Sequence, residues 1–85
     1  MTTIDQALGV TSRTALAEFV DQLRHEIVAH PEGFENVTLE NYLEALAAYL
    51  RDLPGFVRNN RWPGTADEAT WRLIAAVIAG AAVYE

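Results

Sequence analysis

The sequence contains no cysteine and no lysine. The absence of cysteine excludes disulfide bonds, a thiolate nucleophile and a cysteine-ligated metal, so packing and hydrogen bonding must stabilise the fold. A chain of 85 residues suffices for one small domain, which buries roughly 60% of the surface that its unfolded chain exposes. We therefore expect residues 1–85 to form a single helical domain with one core.

Basic residues are scarce, because six arginines stand against twelve acidic residues and the formal net charge is -6. A nucleic-acid-binding protein needs a basic patch to neutralise phosphates, so this balance argues against nucleic acid as a partner. An acidic surface attracts basic proteins, and it also keeps a domain soluble. The composition therefore leaves two readings open: a basic protein partner, or a surface that serves only solubility.

Long hydrophobic runs are also missing. The longest apolar stretch follows Arg72 and lasts about twelve residues, well short of the roughly 20 that a membrane-spanning helix needs. The first ten residues, MTTIDQALGV, carry no basic charge and no long apolar run, so we expect neither a signal peptide nor a transit peptide. The expected location is the cytoplasm, with no membrane partner.

Apolar residues recur at three- and four-residue spacing in three long segments, and no segment alternates like a strand. The fold class we predict is all-α: a small orthogonal or bundle-like domain of three helices plus a short N-terminal helix at residues 4–8. Hydroxyl side chains that can cap a helix precede the long segments at Ser12, at Thr38, and at Thr65 or Thr70.

Proline and glycine divide these segments. Pro31 ends the first helix, and Pro54-Gly55 ends the second near Leu53. Residues 55–64 are then predicted to be an irregular linker before the third helix.

The second and third predicted helices differ in pattern. The second has an apolar stripe that we expect to face the core, made of Leu39, Tyr42, Leu43, Leu46, Leu50 and Leu53. The third is apolar nearly all round apart from Arg72, so it must be covered on most sides. We expect it to be the central helix, with its core residues at Trp71, Ile74, Val77, Ile78 and Ala81; a homodimer interface along it is the alternative.

The stretch RHEIVAH, residues 24–30, resembles the zinc-binding pattern H-E-x-x-H with one residue too many. On a helix with 3.6 residues per turn, His25 and His30 lie about 140° apart and cannot share a metal ion. Glu26 and His30 could form only a two-ligand half-site, which leaves a metal-dependent enzyme as a disfavoured alternative. Because no converging acid–base pair, nucleophile elbow or phosphate loop is recognisable, we predict no catalytic, cofactor or metal site and no enzymatic activity.

Acidic residues and aromatic residues alternate between positions 31 and 44, with no basic residue among them. Charge steers the encounter with a basic partner, and aromatic side chains supply buried contact area. The alternative is that the aromatic rings face the core and the glutamates are simply solvated. The residues that we predict to bind a partner are Glu32, Phe34, Glu35, Glu40 and Glu44.

Three patches, VTSRTALAEFV, FENVTLENYLEALAAYLRD and TWRLIAAVIAGAAVYE, together resemble a family of small acidic bacterial proteins of unknown function. The shared pattern is an E-N-x-[ST]-h-x-x-[FY]-L-E-A centre, where h is apolar, and an [ST]-W-R helix that closes in Tyr-Glu. It covers Val10 to Glu85. This chain departs from the pattern at Phe34, where tryptophan is more common, and at Ala82, where lysine is common. The resemblance implies an all-helical domain and no particular activity.

We therefore predict a non-enzymatic protein-interaction domain that binds a protein partner through an acidic face. Its size and acidity are similar to those of immunity proteins that neutralise basic toxins, so an immunity or antitoxin-like inhibitor is one alternative. A structural homo-oligomer with the third predicted helix at its interface is the other.

Overall fold

A computed structural model describes residues 4–84 of the chain. Over this range the chain forms α-helices, one short 3₁₀ helix and no strand, which confirms the all-α class. The 3₁₀ helix, Pro31–Gly33, lies between the second and third α-helices. The α-helices are α1 (Ile4–Leu8), α2 (Arg13–Ala29), α3 (Leu39–Arg51), α4 (Leu53–Asn59) and α5 (Trp71–Val83).

Hydroxyl side chains cap the starts of the three long helices. The side chains of Ser12, Thr38 and Thr70 each accept a hydrogen bond from the backbone N–H three residues later, at 3.1 to 3.2 Å. Each bond pairs a first-turn donor that has no acceptor within its own helix. Thr65 does not begin a helix: its carbonyl accepts from the Glu68 N–H at 3.4 Å, which makes a turn before α5.

Pro31 follows the end of α2, as predicted, but Pro54 does not end helical structure. α3 ends at Arg51, and α4 begins at Leu53 with Pro54 in its first turn. A first-turn residue needs no acceptor for its N–H, so a proline is tolerated there. The prediction of an irregular linker is therefore wrong for residues 55–59, which are helical.

α5 is the central helix, because α1, α2 and α3 all pack against it. Its buried residues are Leu73, Ala75, Ala76, Val77, Ala81 and Ala82. Trp71, which was expected in the core, is 42% exposed because it stands at the very start of the helix. The buried indole belongs instead to Trp62, 5% exposed, whose ring lies 5.3 Å from that of Phe56 between centroids.

The described chain is compact. Its radius of gyration is 12.2 Å, close to the about 12 Å expected for a folded domain of this length. Between residues 4 and 84 no helix combines the length and the apolarity needed to cross a bilayer.

Candidate protein-interaction surface

The segment between α2 and α3, residues 30–38, is fixed to the carboxyl end of α5 by one residue. The side-chain nitrogen Nδ2 of Asn36 donates to the carbonyl of Ala81 at 2.9 Å and to that of Tyr84 at 2.7 Å. The Asn36 backbone N–H donates to the carbonyl of Ala82 at 3.0 Å. The last carbonyls of a helix have no donor within it, so Asn36 caps α5 from far away in sequence. We call residues 30–38 the acidic connector, and this cap holds it in place.

The predicted partner-binding residues lie on the connector and on the first turns of α3. Phe34 is half-buried. The Glu32 carboxylate lies 3.5 Å from Nδ1 of His30, and both side chains are about three-quarters exposed, so this pair is solvated. All the predicted acidic residues are exposed: Glu32, Glu35, Glu40 and Glu44. The structure thus leaves all the predicted carboxylates open to a partner.

α3 exposes a row of leucines that sequence analysis placed in the core. Leu39 is 75% exposed, Leu43 52% and Leu50 50%, while Leu46 between them is half-buried. Their spacing of four, three and four residues aligns them along one side of the helix. We call these four residues the leucine face. The expectation that they face the core is wrong for the three exposed members.

A neighbouring arc of α3 packs on α5 instead. The Tyr42 hydroxyl donates to the carbonyl of Ile78 at 2.8 Å, and the Tyr49 ring lies against Gly80. Ala45 between the two tyrosines is buried, which lets the helices approach closely. Tyrosine suits this position because its ring is apolar and its hydroxyl can satisfy a backbone carbonyl.

The side chains of Tyr42 and Tyr49 are partly buried. Burial raises the pKa of Tyr42 above its ordinary value. Burial, and secondarily the neighbouring Tyr84, raise the pKa of Tyr49 to about 12. The neutral phenol is therefore the form that the α3–α5 contact favours.

Tyr84 ties the carboxyl ends of α3 and α5 together. Its hydroxyl donates to the Asp52 carboxylate, and this hydrogen bond is the main reason why its pKa is raised. The Tyr84 ring meets the Tyr49 ring edge to face, with 5.1 Å between centroids. The arc of α3 that packs on α5 thus continues to the end of the helix.

An open groove of 330 Å³ runs beside the leucine face. Its lining is mostly apolar and includes one charged residue, Asp67. Grooves with apolar walls are the sites that take up apolar side chains of a ligand or another protein. The larger apolar residues of the lining are Leu46, Leu50 and Leu53, together with Leu73, Ile74, Val77 and Ile78 of α5.

The histidines of RHEIVAH do not meet at one place. His25 Nδ1 lies 2.8 Å from the carbonyl oxygen of Asp21, whereas His30 directly follows the last residue of α2 and lies near Glu32. In the part of the chain that the structure describes, no group of three His, Asp or Glu side chains could hold a metal ion.

Comparison with known proteins places the chain in a family. A search of curated proteins and a search of solved structures each gave no match. A family model described as a family of unknown function, DUF7660, matches residues 12–85. The match runs from the cap of α2 through the connector to the end of the chain. The resemblance seen in three sequence patches is thereby confirmed as membership in a family of unknown function. The chain belongs to the DUF7660 family.

Proposed function

We propose that this domain binds another protein through the acidic connector and the adjoining start of α3, and that it has no catalytic role. The residues assigned to this acidic face are Glu32, Phe34, Glu35, Glu40 and Glu44. The observation that carries the proposal is the position of exposed acids beside exposed leucines: Glu40 and Glu44 directly follow Leu39 and Leu43, and all four side chains are open to solvent.

Burying such leucines against a partner is favourable. Moving one leucine side chain fully out of water contributes about 1.5–3 kcal/mol. Protein surfaces carry single exposed apolar residues routinely, but contiguous apolar patches bordered by polar residues mark interaction sites. A basic partner that covers leucines and meets the glutamates gains contact area and correct orientation at once.

An immunity or antitoxin-like inhibitor of a basic toxin is the narrower form of this proposal. The support for it is the net charge of -6 and the small size of the chain. We further propose a bacterial origin, on the motif resemblance, and a cytoplasmic location, because a chain without cysteine needs no oxidising compartment to fold.

The test is affinity capture from a lysate of the source organism at low and at high salt. We expect the wild-type protein to retain a basic protein at low salt and to release it at high salt, because salt screens exposed charges. The double variant Glu32→Lys/Glu35→Lys should lose that protein. The matched control, Glu18→Lys/Glu68→Lys, changes the charge equally at exposed positions outside the face and should retain it.

Two results would overturn the proposal. One is that no salt-sensitive partner is captured, and the other is that Glu32→Lys/Glu35→Lys retains the partner as well as the control variant does. If a partner is captured, its identification decides the narrower form. An inhibitor must abolish the toxic activity of that protein in a growth assay, whereas another kind of interaction domain need not.

A homo-oligomer with α5 at its interface is a less favoured proposal, because α1, α2 and α3 already pack against α5. If two copies of the chain associate, α3 is a better candidate for the contact than α5, because three leucines of the leucine face are exposed.

A further inference from the structure

We propose that the leucine face is a contact between two copies of this chain, which pair their α3 helices antiparallel around a two-fold axis. This inference goes beyond the acidic-face proposal and does not rest on it. Both contacts use Leu43 and Glu44, so a copy engaged in the dimer does not present these two residues to another protein. It rests on the exposure of the leucine face, on the order of charges along α3 and on the adjacent groove.

Charged residues follow the leucine face in a simple order. One residue along a helix is a rotation of about 100°, so residues that directly follow members of the face all lie on its same side. The two acids are in the first half of α3 and the base is in its last turn. The three exposed leucines and the charges that follow them are Leu39-Glu40, Leu43-Glu44 and Leu50-Arg51.

This order is complementary to itself when the helices run antiparallel. A two-fold axis perpendicular to the helices brings the same side of both together, and places the first half of one beside the last half of the other. An axis between Ala47 and Ala48, midway from Glu44 to Arg51, puts Glu44 of each copy beside Arg51 of the other. In a parallel pair the two-fold axis runs along the helices and places the charged sides on opposite edges of the contact, so Glu44 and Arg51 would not meet.

The same axis also interleaves the leucines. Leu46 of each copy lies beside Leu50 of the other, which is the alternation seen between packed helices with this spacing. Leu43 of the second copy lies beside Leu53, at the groove whose lining includes Leu46 and Leu50. One register therefore satisfies both the apolar side chains and the charges.

The contact is small, so we expect the dimer to depend on concentration. Stable interfaces bury about 800 Å² of surface on each partner. α3 has only 13 residues, so one face of this helix and the adjacent groove bury a smaller area than that. The negative charge of both copies opposes association only at short range in salt, because the Debye length is about 8 Å at physiological ionic strength.

Sedimentation equilibrium of the purified protein at physiological salt tests the proposal, from low to high micromolar concentration. The wild-type protein should pass from monomer to dimer over this range. Leu43→Gln should raise the dimer dissociation constant about tenfold or more. The control Val28→Gln, at a position on α2 that is 72% exposed, should leave it unchanged.

Charge reversal tests the antiparallel register. Arg51→Glu or Glu44→Arg alone should raise the dissociation constant about tenfold, because each turns two attractive pairs into repulsive ones. The double variant Glu44→Arg/Arg51→Glu should return it to near the wild-type value. Arg13→Glu, which changes the net charge as Arg51→Glu does but at an exposed position of α2, should have no effect. Circular dichroism confirms that each variant keeps its helix content.

The proposal is overturned if the wild-type protein is monomeric at high micromolar concentration, if Leu43→Gln dimerises as well as wild type, or if the double reversal fails to restore the dimer. Self-association is measured without any other protein. Glu32→Lys/Glu35→Lys, which should abolish partner capture, should leave the dimer intact. The two proposals can therefore fail separately.

Discussion

The ring of Tyr49 in α3 lies directly against Gly80 in α5. A Cβ atom built on Gly80 would lie 2.6 Å from the Tyr49 hydroxyl oxygen and closer still to ring carbons. Glycine within a helix costs about 1 kcal/mol relative to alanine. The packing of the Tyr49 ring against Gly80 offsets this loss of helix propensity. Because Gly80 has no side chain, the ring of Tyr49 can pack directly on the backbone of α5.

Substitution of Gly80 by alanine should destabilise the protein although it improves helix propensity. The added methyl group overlaps the ring, and such overpacking costs about 1–3 kcal/mol, which exceeds the propensity gain. Urea denaturation followed by circular dichroism measures the change in the free energy of unfolding.

Two variants serve as controls for that substitution. Gly33→Ala, at a site with nothing within 4 Å of the new Cβ, should leave stability nearly unchanged. Gly80→Ala/Tyr49→Leu should lose less than the two single substitutions combined, because the smaller side chain relieves the overlap. Additive losses would contradict the steric explanation.

Asn36→Ala should destabilise the protein by about 1–3 kcal/mol, because two side-chain hydrogen bonds at about 0.5–1.5 kcal/mol each are lost. Asn36→Asp should be worse than alanine, although it keeps the shape. A carboxylate cannot donate to the carbonyls of Ala81 and Tyr84, and its charge faces the negative end of the helix dipole. Equal stability of the aspartate variant and the wild type in urea would contradict the capping role.

Stability should fall at high pH. The raised pKa of Tyr49, about 12 against an ordinary 10.0, means that the unfolded chain loses this proton before the folded one does. The contribution is fully present below pH 10 and is lost as the pH rises through about 12. Urea midpoints on both sides of pH 10 should show the decline, and Tyr49→Phe should make it shallower. An unchanged slope would show that other groups cause the decline.

Leu53 and Leu50 should respond differently to alanine. Leu53 is 4% exposed, and its truncation should cost about 2–5 kcal/mol because a cavity is left in the core. Leu50 is 50% exposed, so its truncation should cost less than about 1 kcal/mol in the monomer. Thermal unfolding at low protein concentration compares the two. Similar losses would contradict the assignment of Leu50 to an open surface.

Local features of the helices were predictable from the sequence. Ser12 and Thr38 were recognised as caps because a hydroxyl before an apolar periodic segment acts on the next turn only. Pro54 was misread as a terminator, since a proline that ends one helix and a proline in the first turn of the next look alike in sequence. Trp71 was misplaced because periodicity does not show which end of a helix remains uncovered.

The orientation of α3 was not predictable by the same means. On its helical wheel the leucines and the tyrosines occupy adjacent arcs, and both arcs are apolar enough to face a core. The choice depends on Gly80 and on the carbonyl of Ile78, which lie far away in sequence. The acidic face could be proposed from sequence because exposed charge needs no tertiary partner, whereas the leucine face could not.

The tyrosines on one arc of α3 anchor the helix, and the three exposed leucines on the next arc do not. Selection for folding and selection for association can therefore act on different residues of the same helix. An engineer could replace the exposed leucines with polar residues to obtain a stable monomer, or exchange the charges beside them to redirect pairing, without rebuilding the core.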